Sequence, residues 1–105
     1  MTTFSKLALR PPLLAALSQI GYAEMTDIQA AALPLLLEKH DVVGQAKTGS
    51  GKTAAFGLSI LQSLKLNQPG PQSLVLCPTR ELADQVASEI RRLASQLPNT
   101  RVLVL

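Results

Sequence analysis

Two hydrophobic rhythms alternate along these 105 residues. Behind Pro11-Pro12, a pair tolerated in a helix's first turn, Leu13, Leu14, Leu17 and Ile20 recur at helical spacing, and Gly21 ends the run. Thr26 has the character of an N-cap, and Ile28 to Glu38 follows as a second helix with Leu33, Leu36 and Leu37 inward. Pro34 is expected to kink or weaken that helix, because it lacks the N–H and clashes with the preceding turn. The period then shortens. Asp41-Val42-Val43-Gly44-Gln45 is a β-branched run that predicts a strand. Lys52 to about Leu64 returns to helical spacing, with Phe56, Ile60, Leu61 and Leu64 on one side. Asn67 to Pro71 is a loop. Ser73 to Cys77 is an unbroken apolar run, the pattern of a strand buried on both faces. Thr79 to about Leu97 predicts a last helix, Pro98-Asn99 breaks it, and Arg101 to Leu105 begins a third strand.

Strands alternating with helices of this length predict an α/β fold, a parallel sheet joined by right-handed crossovers. Residues 1–37 form a helical lead-in, and residues 38–105 the sheet-forming part. The chain stops inside an apolar strand, which predicts an incomplete domain whose edge would be covered by further sequence. Composition agrees: 47% of residues are hydrophobic and only 16% charged, so some apolar faces are expected to need cover. Aromatics are 3% of the chain, namely Phe4, Tyr22 and Phe56, too few for a platform on which bases stack. A net charge of +3 permits a polyanionic partner without demonstrating one. One cysteine, Cys77, excludes an internal disulfide or a cysteine metal cluster, and one histidine, His40, argues against a histidine metal site or a Ser-His pair. No basic start with a long apolar run predicts a signal peptide, and no apolar stretch approaches the roughly 18 residues of a membrane span. The expectation is a soluble cytoplasmic protein with no membrane partner.

The chemistry concentrates between the first strand and the third helix, at Ala46-Lys47-Thr48-Gly49-Ser50-Gly51-Lys52-Thr53. Glycines let successive backbone N–H groups point into one concavity, and the following helix aims its positive end at the same place. A lysine there supplies a mobile charge for β- and γ-phosphates, and a threonine hydroxyl supplies an oxygen for Mg2+. The bland alternative is a flexible Gly/Ser turn before a helix. Ala46 stands where the strict phosphate-loop pattern has glycine.

These residues resemble motif I of the DEAD-box RNA helicases, where alanine at the first position is usual. Pro78-Thr79-Arg80-Glu81-Leu82-Ala83 resembles that family's motif Ia. Gly21-Tyr22-Ala23-Glu24-Met25-Thr26-Asp27-Ile28-Gln29 resembles its Q motif, with Phe4 seventeen residues upstream as the isolated aromatic. Met25 departs from the commoner proline and removes a rigid turn. The wording from Leu76 to Ala87 resembles bacterial members that act in ribosome assembly. Three motifs in order cover nearly all of the chain.

The resemblance implies the first RecA-like domain, a three-layer parallel-sheet P-loop NTPase, here incomplete. It implies ATP and Mg2+ as cofactors, with residues 46–53 holding the nucleotide, Lys52 and Thr53 as the catalytic pair and Thr53 as the metal ligand. Gln29 would read adenine, since a carboxamide can accept from N6 and donate to N7; Thr26 and Gln29 also form a capping box, and the two roles compete for one side chain. Tyr22 would stack on adenine, or serve as a core residue. Phe4 would brace the nucleotide pocket, or simply pack. Pro78, Thr79, Arg80 and Glu81 would face RNA, ribosomal RNA being the candidate from the assembly factors; alternatively Thr79 only caps its helix and Arg80 pairs with Glu81 or Asp84. Lys47 could touch phosphate or solvent. Arg91 and Arg92 read as a solvated face, Cys77 as a buried strand residue, and His40 carries no assigned chemistry. The 105 residues hold no Asp-Glu-Ala-Asp run, so the expectation is no ATPase or helicase activity from this polypeptide alone, together with self-association through uncovered strands. Another P-loop enzyme such as a nucleotide kinase, and a non-catalytic P-loop nucleotide-binding remnant or interaction module, are the alternatives.

Overall fold

The computed structural model describes residues 3–47, 49 and 51–105. Four α-helices account for its regular structure: α1 (Pro11–Gln19), α2 (Asp27–Leu37), α3 (Lys52–Ser63) and α4 (Arg80–Leu93). Each begins and ends near where local chemistry dictates. Pro11 opens α1, and Gly21 takes φ +83° just beyond its end. Thr26 caps α2 with a complete capping box. Pro34 does not end α2, which runs on to Leu37; Lys39 then turns the chain with φ +68°. Thr79 caps α4, accepting from the Leu82 N–H at 3.1 Å. α4 closes at Leu93, short of the expected Leu97.

α3 lies at the centre, packed on α2 and α4, while α1 touches both α3 and α4. Leu13, Leu17, Leu33, Leu58, Leu61 and Leu93 are fully buried where these helices meet. The inward stripe of α3 is Ala54, Leu58 and Leu61, not the expected set of Phe56, Ile60, Leu61 and Leu64, of which only Leu61 is buried. A helix wrapped on several sides buries more than one stripe, so periodicity alone does not say which is deepest. Likewise Leu33 is buried in α2 while Leu36 and Leu37 are half-buried. Gly57 permits the α3–α4 approach: a Cβ there would lie 3.2 Å from Leu93 Cδ1 and 3.3 Å from Ile90 Cγ1. Phe4 is buried in this core, and a short 3-10 turn, Phe4–Lys6, carries it.

The three expected strands do not form a sheet. Among the described residues the only bridge is a single antiparallel pair, Thr3 with Glu24. Segments 41–45, 73–77 and 101–105 carry no ladder hydrogen bonds. Several of their apolar side chains are in solvent, Val43 being 96% exposed, Leu76 84% and Leu105 100%, while Val42, Val102 and Val104 are half-buried. The expectation that Ser73–Cys77 is buried on both faces is therefore corrected, and Cys77 is half-buried. A helix satisfies its N–H and C=O groups within itself. A strand needs a ladder of hydrogen bonds to a neighbour about 4.8 Å away, and these segments form none with one another.

The far end of α3 is clamped. The Arg10 guanidinium donates to the carbonyls of Leu61 (3.5 Å) and Leu64, and the Arg10 N–H donates to Gln62 Oε1 at 2.7 Å. A cation at a helix C-terminus also complements the helix dipole. No helix among the described residues is long and apolar enough to cross a membrane.

Candidate nucleotide site

The loop between the Val42-Val43 segment and α3 opens a shallow hollow of about 520 Å3 lined by Gly44, Gln45, Ala46, Lys47 and Lys52. Lys52 is the first residue of α3, and its Nζ donates to the Ala46 carbonyl at 2.6 Å, across the loop. Thr53 is half-buried in the same first turn. The N-cap is Gly51, with φ +91° and no side chain to offer, so the leading N–H groups of α3 receive no side-chain cap. Uncapped amides at the positive end of a helix, beside a lysine, suit an anion. Thr48 and Ser50 of the expected loop lie outside the described residues. Gly49 takes φ +82°, as a tight curl requires. Lys47 is exposed.

Gln29 joins this loop to the lead-in. It is 3% exposed and uses its amide at both ends. The Thr26 N–H donates to Gln29 Oε1 at 2.9 Å, and Gln29 Nε2 donates to the Gly51 carbonyl at 3.1 Å. The reciprocal capping bond runs from the Gln29 N–H to Thr26 Oγ1 at 3.4 Å. Gly51 is held so closely that a Cβ would lie 3.0 Å from both Gln29 Cδ and Thr26 Oγ1, and closer still to Gln29 Nε2. The capping box and a contact with the loop before α3 thus occur on one side chain.

Tyr22 lines a different hollow, together with Phe4, Leu14, Leu17 and Gly21. Its hydroxyl donates to Glu89 Oε1 at 3.0 Å, across 67 residues of sequence. Burial, then the Glu89 carboxylate, raise the Tyr22 pKa above its ordinary 10.0. Glu89 is held in turn by Arg92, whose Nη1 donates to Oε2 at 2.9 Å. Sequence reasoning passed over Glu89: its spacing to Arg92 is legible on a helix, but its bond to Tyr22 has no local signal.

Pro78, Thr79, Arg80 and Glu81 are all exposed around the start of α4. The Thr79 oxygen accepts from Leu82, leaving its own hydroxyl proton free to donate. Arg80 forms no ion pair with Glu81 or Asp84 among the described residues. Arg91 and Arg92 are exposed, and Arg91 Nη2 donates to the Val102 carbonyl at 2.7 Å. His40 lies on the surface, 3.8 Å from Glu38. Among the described residues no three of His, Cys, Asp and Glu converge to hold a metal.

An uncapped, glycine-led helix start with its lysine folded over the loop has the chemistry to receive an anion. The family model for DEAD/DEAH box helicases matches residues 26–105, and the chain belongs to that family. It is 60% identical to the ATP-dependent RNA helicase DbpA of Escherichia coli over 106 aligned residues, which cover 100% of this chain and 23% of that protein. It is 48% identical to the ATP-dependent RNA helicase DeaD of Escherichia coli over 104 residues, 99% of this chain and 16% of that protein. The chain therefore spans less than a quarter of the length of these curated relatives. Among solved structures, the RNA helicase Prp28 from Chaetomium thermophilum bound to ADP aligns with TM-score 0.86 and 42% identity over 100% of this chain and 27% of its own. Dbp5 of S. cerevisiae bound to RNA and ADP BeF3 aligns with TM-score 0.82 and 34% identity over 90% of this chain and 25% of its own.

Proposed function

We propose that this chain is the ATP-gripping portion of an ATP-dependent RNA helicase. The observation that supports this best is the Gln29 amide bonded to Gly51: it joins a side chain able to read adenine to the loop able to hold phosphates. On this reading Lys52 leaves the Ala46 carbonyl for the phosphates, and the free amides of α3 join it. Ala46, Lys47, Thr48, Gly49, Ser50 and Gly51 complete the cradle. Gln29 exchanges Thr26 and Gly51 for adenine, turning both ends of its amide to the base, and Tyr22 supplies an aromatic face to it. Thr53 would supply one half-buried hydroxyl oxygen to Mg2+, but alone it is a poor metal site, because such an ion is held by carboxylates together with phosphates and the 105 residues contain no Asp-Glu-Ala-Asp run. The ion's chemistry is neutralisation of phosphate charge.

Thr79 and Arg80, at the start of α4, would grip the RNA backbone, with Pro78 and Glu81 flanking. Such contacts are salt-dependent and sequence-tolerant. The relatives named as RNA helicases support RNA as the partner, and the resemblance of Leu76 to Ala87 to members that act in ribosome assembly favours ribosomal RNA, such a role and a place in the cytoplasm. In the longer protein, segments 41–45, 73–77 and 101–105 become strands of the parallel sheet of a three-layer RecA-like domain. Alone, the chain neither hydrolyses ATP at an appreciable rate nor unwinds RNA, and its exposed apolar segments promote self-association.

The test is thermal. Saturating Mg·ATP, at about 100 times its Kd, stabilises a one-site binder by about 2.7 kcal/mol. We expect that rise with Mg·ATP, a smaller one with Mg·GTP, and none in Lys52→Ala. No rise with either nucleotide removes the proposal. Steady-state turnover with RNA checks the inactivity, which ATP hydrolysis abolished by Lys52→Ala would contradict. The second reading, an interaction module that binds no nucleotide, is favoured by one observation: Gln29 and Lys52 both already spend their polar groups on the protein itself.

A further inference from the structure

The segment from Tyr22 to Thr26 is pinned at both ends to different helices. At its start the Tyr22 hydroxyl is bonded to Glu89 of α4. At its end Thr26 and Gln29 close the capping box, and Gln29 reaches Gly51. Between them Met25 is buried, the Ala23 carbonyl accepts from the Phe4 N–H at 3.3 Å, and Glu24 bridges Thr3. Glu89 belongs to none of the three sequence motifs. Its carboxylate is nevertheless mostly shielded, 19% exposed at the side chain, and held in a two-point geometry by Tyr22 on one oxygen and Arg92 on the other.

We infer that Glu89 is a positioning residue for adenine recognition: through Tyr22 it fixes the segment that sets Gln29 against Gly51. The inference rests on the reading of Gln29 as the adenine-contacting side chain. The physical logic is local. The segment carries no regular structure of its own beyond the single bridge, so its path is set by its individual ties, and the Tyr22–Glu89 bond is the hydrogen bond that links it to α4. Cutting the Tyr22 tie leaves Gln29 capped by Thr26 but frees the approach of α2's first turn to the phosphate loop. A carboxamide that must present two groups at once to a purine edge tolerates little misplacement. The phosphate cradle, built from the loop and α3, does not depend on that tie.

This separates positioning from general support. Loss of overall stability weakens every nucleotide alike. Misplacement of Gln29 weakens adenine nucleotides and spares guanine ones. The experiment measures affinities of the chain for Mg·ATP and Mg·GTP by calorimetry in the unaltered chain, Glu89→Ala, Glu89→Gln and Tyr22→Phe. Glu89→Ala and Tyr22→Phe should each lose about tenfold in ATP affinity, the scale of one well-made hydrogen bond, with GTP changed less than about twofold. Glu89→Gln keeps an acceptor for the Tyr22 hydroxyl and should recover most of the discrimination. Because Tyr22 is the only tyrosine and the chain has no tryptophan, its ultraviolet titration reports the bond directly, and its ionisation should move to lower pH in Glu89→Ala. An unchanged ATP-to-GTP ratio in both Glu89→Ala and Tyr22→Phe overturns the inference while leaving the nucleotide site standing. An unaltered chain that binds neither nucleotide, or shows no preference for ATP, sinks the underlying functional reading instead, and the inference with it.

Discussion

Helix α3 and the run from Ser73 to Cys77 are both rich in apolar residues, and they end in opposite environments. Leu58 and Leu61 of α3 are fully buried, whereas Leu74 is 77% exposed and Leu76 84%. The difference lies in what each needs from the rest of the chain. α3 closes its own hydrogen bonds, then gains by packing against α1, α2 and α4, all present in these residues. The apolar run can close its hydrogen bonds only with a neighbouring strand, and it finds none here. Hydrophobicity therefore supplies a driving force in both segments but a place in only one. The same contrast explains why the nucleotide loop is partly organised: its downstream side rests on α3 and on Gln29 of α2, while its upstream side continues into an unladdered segment.

If this contrast holds, damage to the helical layer should dominate stability. Leu58→Ala removes a side chain from the centre of the layer and should cost about 2–5 kcal/mol, read by urea unfolding followed by circular dichroism. A loss below about 1 kcal/mol would mean that the four-helix packing does not carry the fold. Gly51→Ala comes next: a side chain at φ +91° is strained and collides with Gln29 and Thr26. It should cost about 1–3 kcal/mol and abolish the ATP-dependent rise in melting temperature. Thr26→Ala removes the cap of α2 and should cost about 1 kcal/mol.

A smaller effect is expected from pH. Tyr22 has its folded-state pKa raised above 10.0, so the folded chain holds that proton more tightly than the unfolded chain. Its contribution is complete below pH 10 and is lost as pH rises through the elevated value. Stability curves of the unaltered chain should therefore fall more steeply above pH 10 than those of Tyr22→Phe; parallel curves would show that burial and the Glu89 bond do not raise the Tyr22 pKa in solution. Smallest for stability is Leu76→Lys, within about 0.5 kcal/mol, because Leu76 packs on little. Its effect should appear in light scattering, as a shift towards monomer. A destabilised monomer with unchanged association would place Leu76 in a packed face after all.

Much of the helical architecture is legible from local chemistry. Pro11 marks a start, Gly21 a stop, and Thr26 with Gln29 a capping box, because caps and breakers act over a few residues. The start of α3 at the glycine-lysine-threonine run of 51–53 is legible for the same reason, since these residues are consecutive. Three features were not. Periodicity could not rank the two flanks of α3, and it named Phe56 and Ile60 where Ala54 and Leu58 are deepest. Apolar content could not say whether residues 73–77 would find a ladder. Nor could any pattern join Tyr22 to Glu89 or Arg10 to the end of α3.

The sequence by itself determined where the helices begin and roughly where they end, and the family to which three ordered motifs belong, because each depends on groups adjacent along the chain. Only the tertiary structure decided that Gln29 is shared between its own helix cap and the Gly51 carbonyl, that Tyr22 answers to α4, and that three strand-like runs stay unpaired. Those outcomes depend on distance in space between residues tens of positions apart, and no local preference encodes that distance.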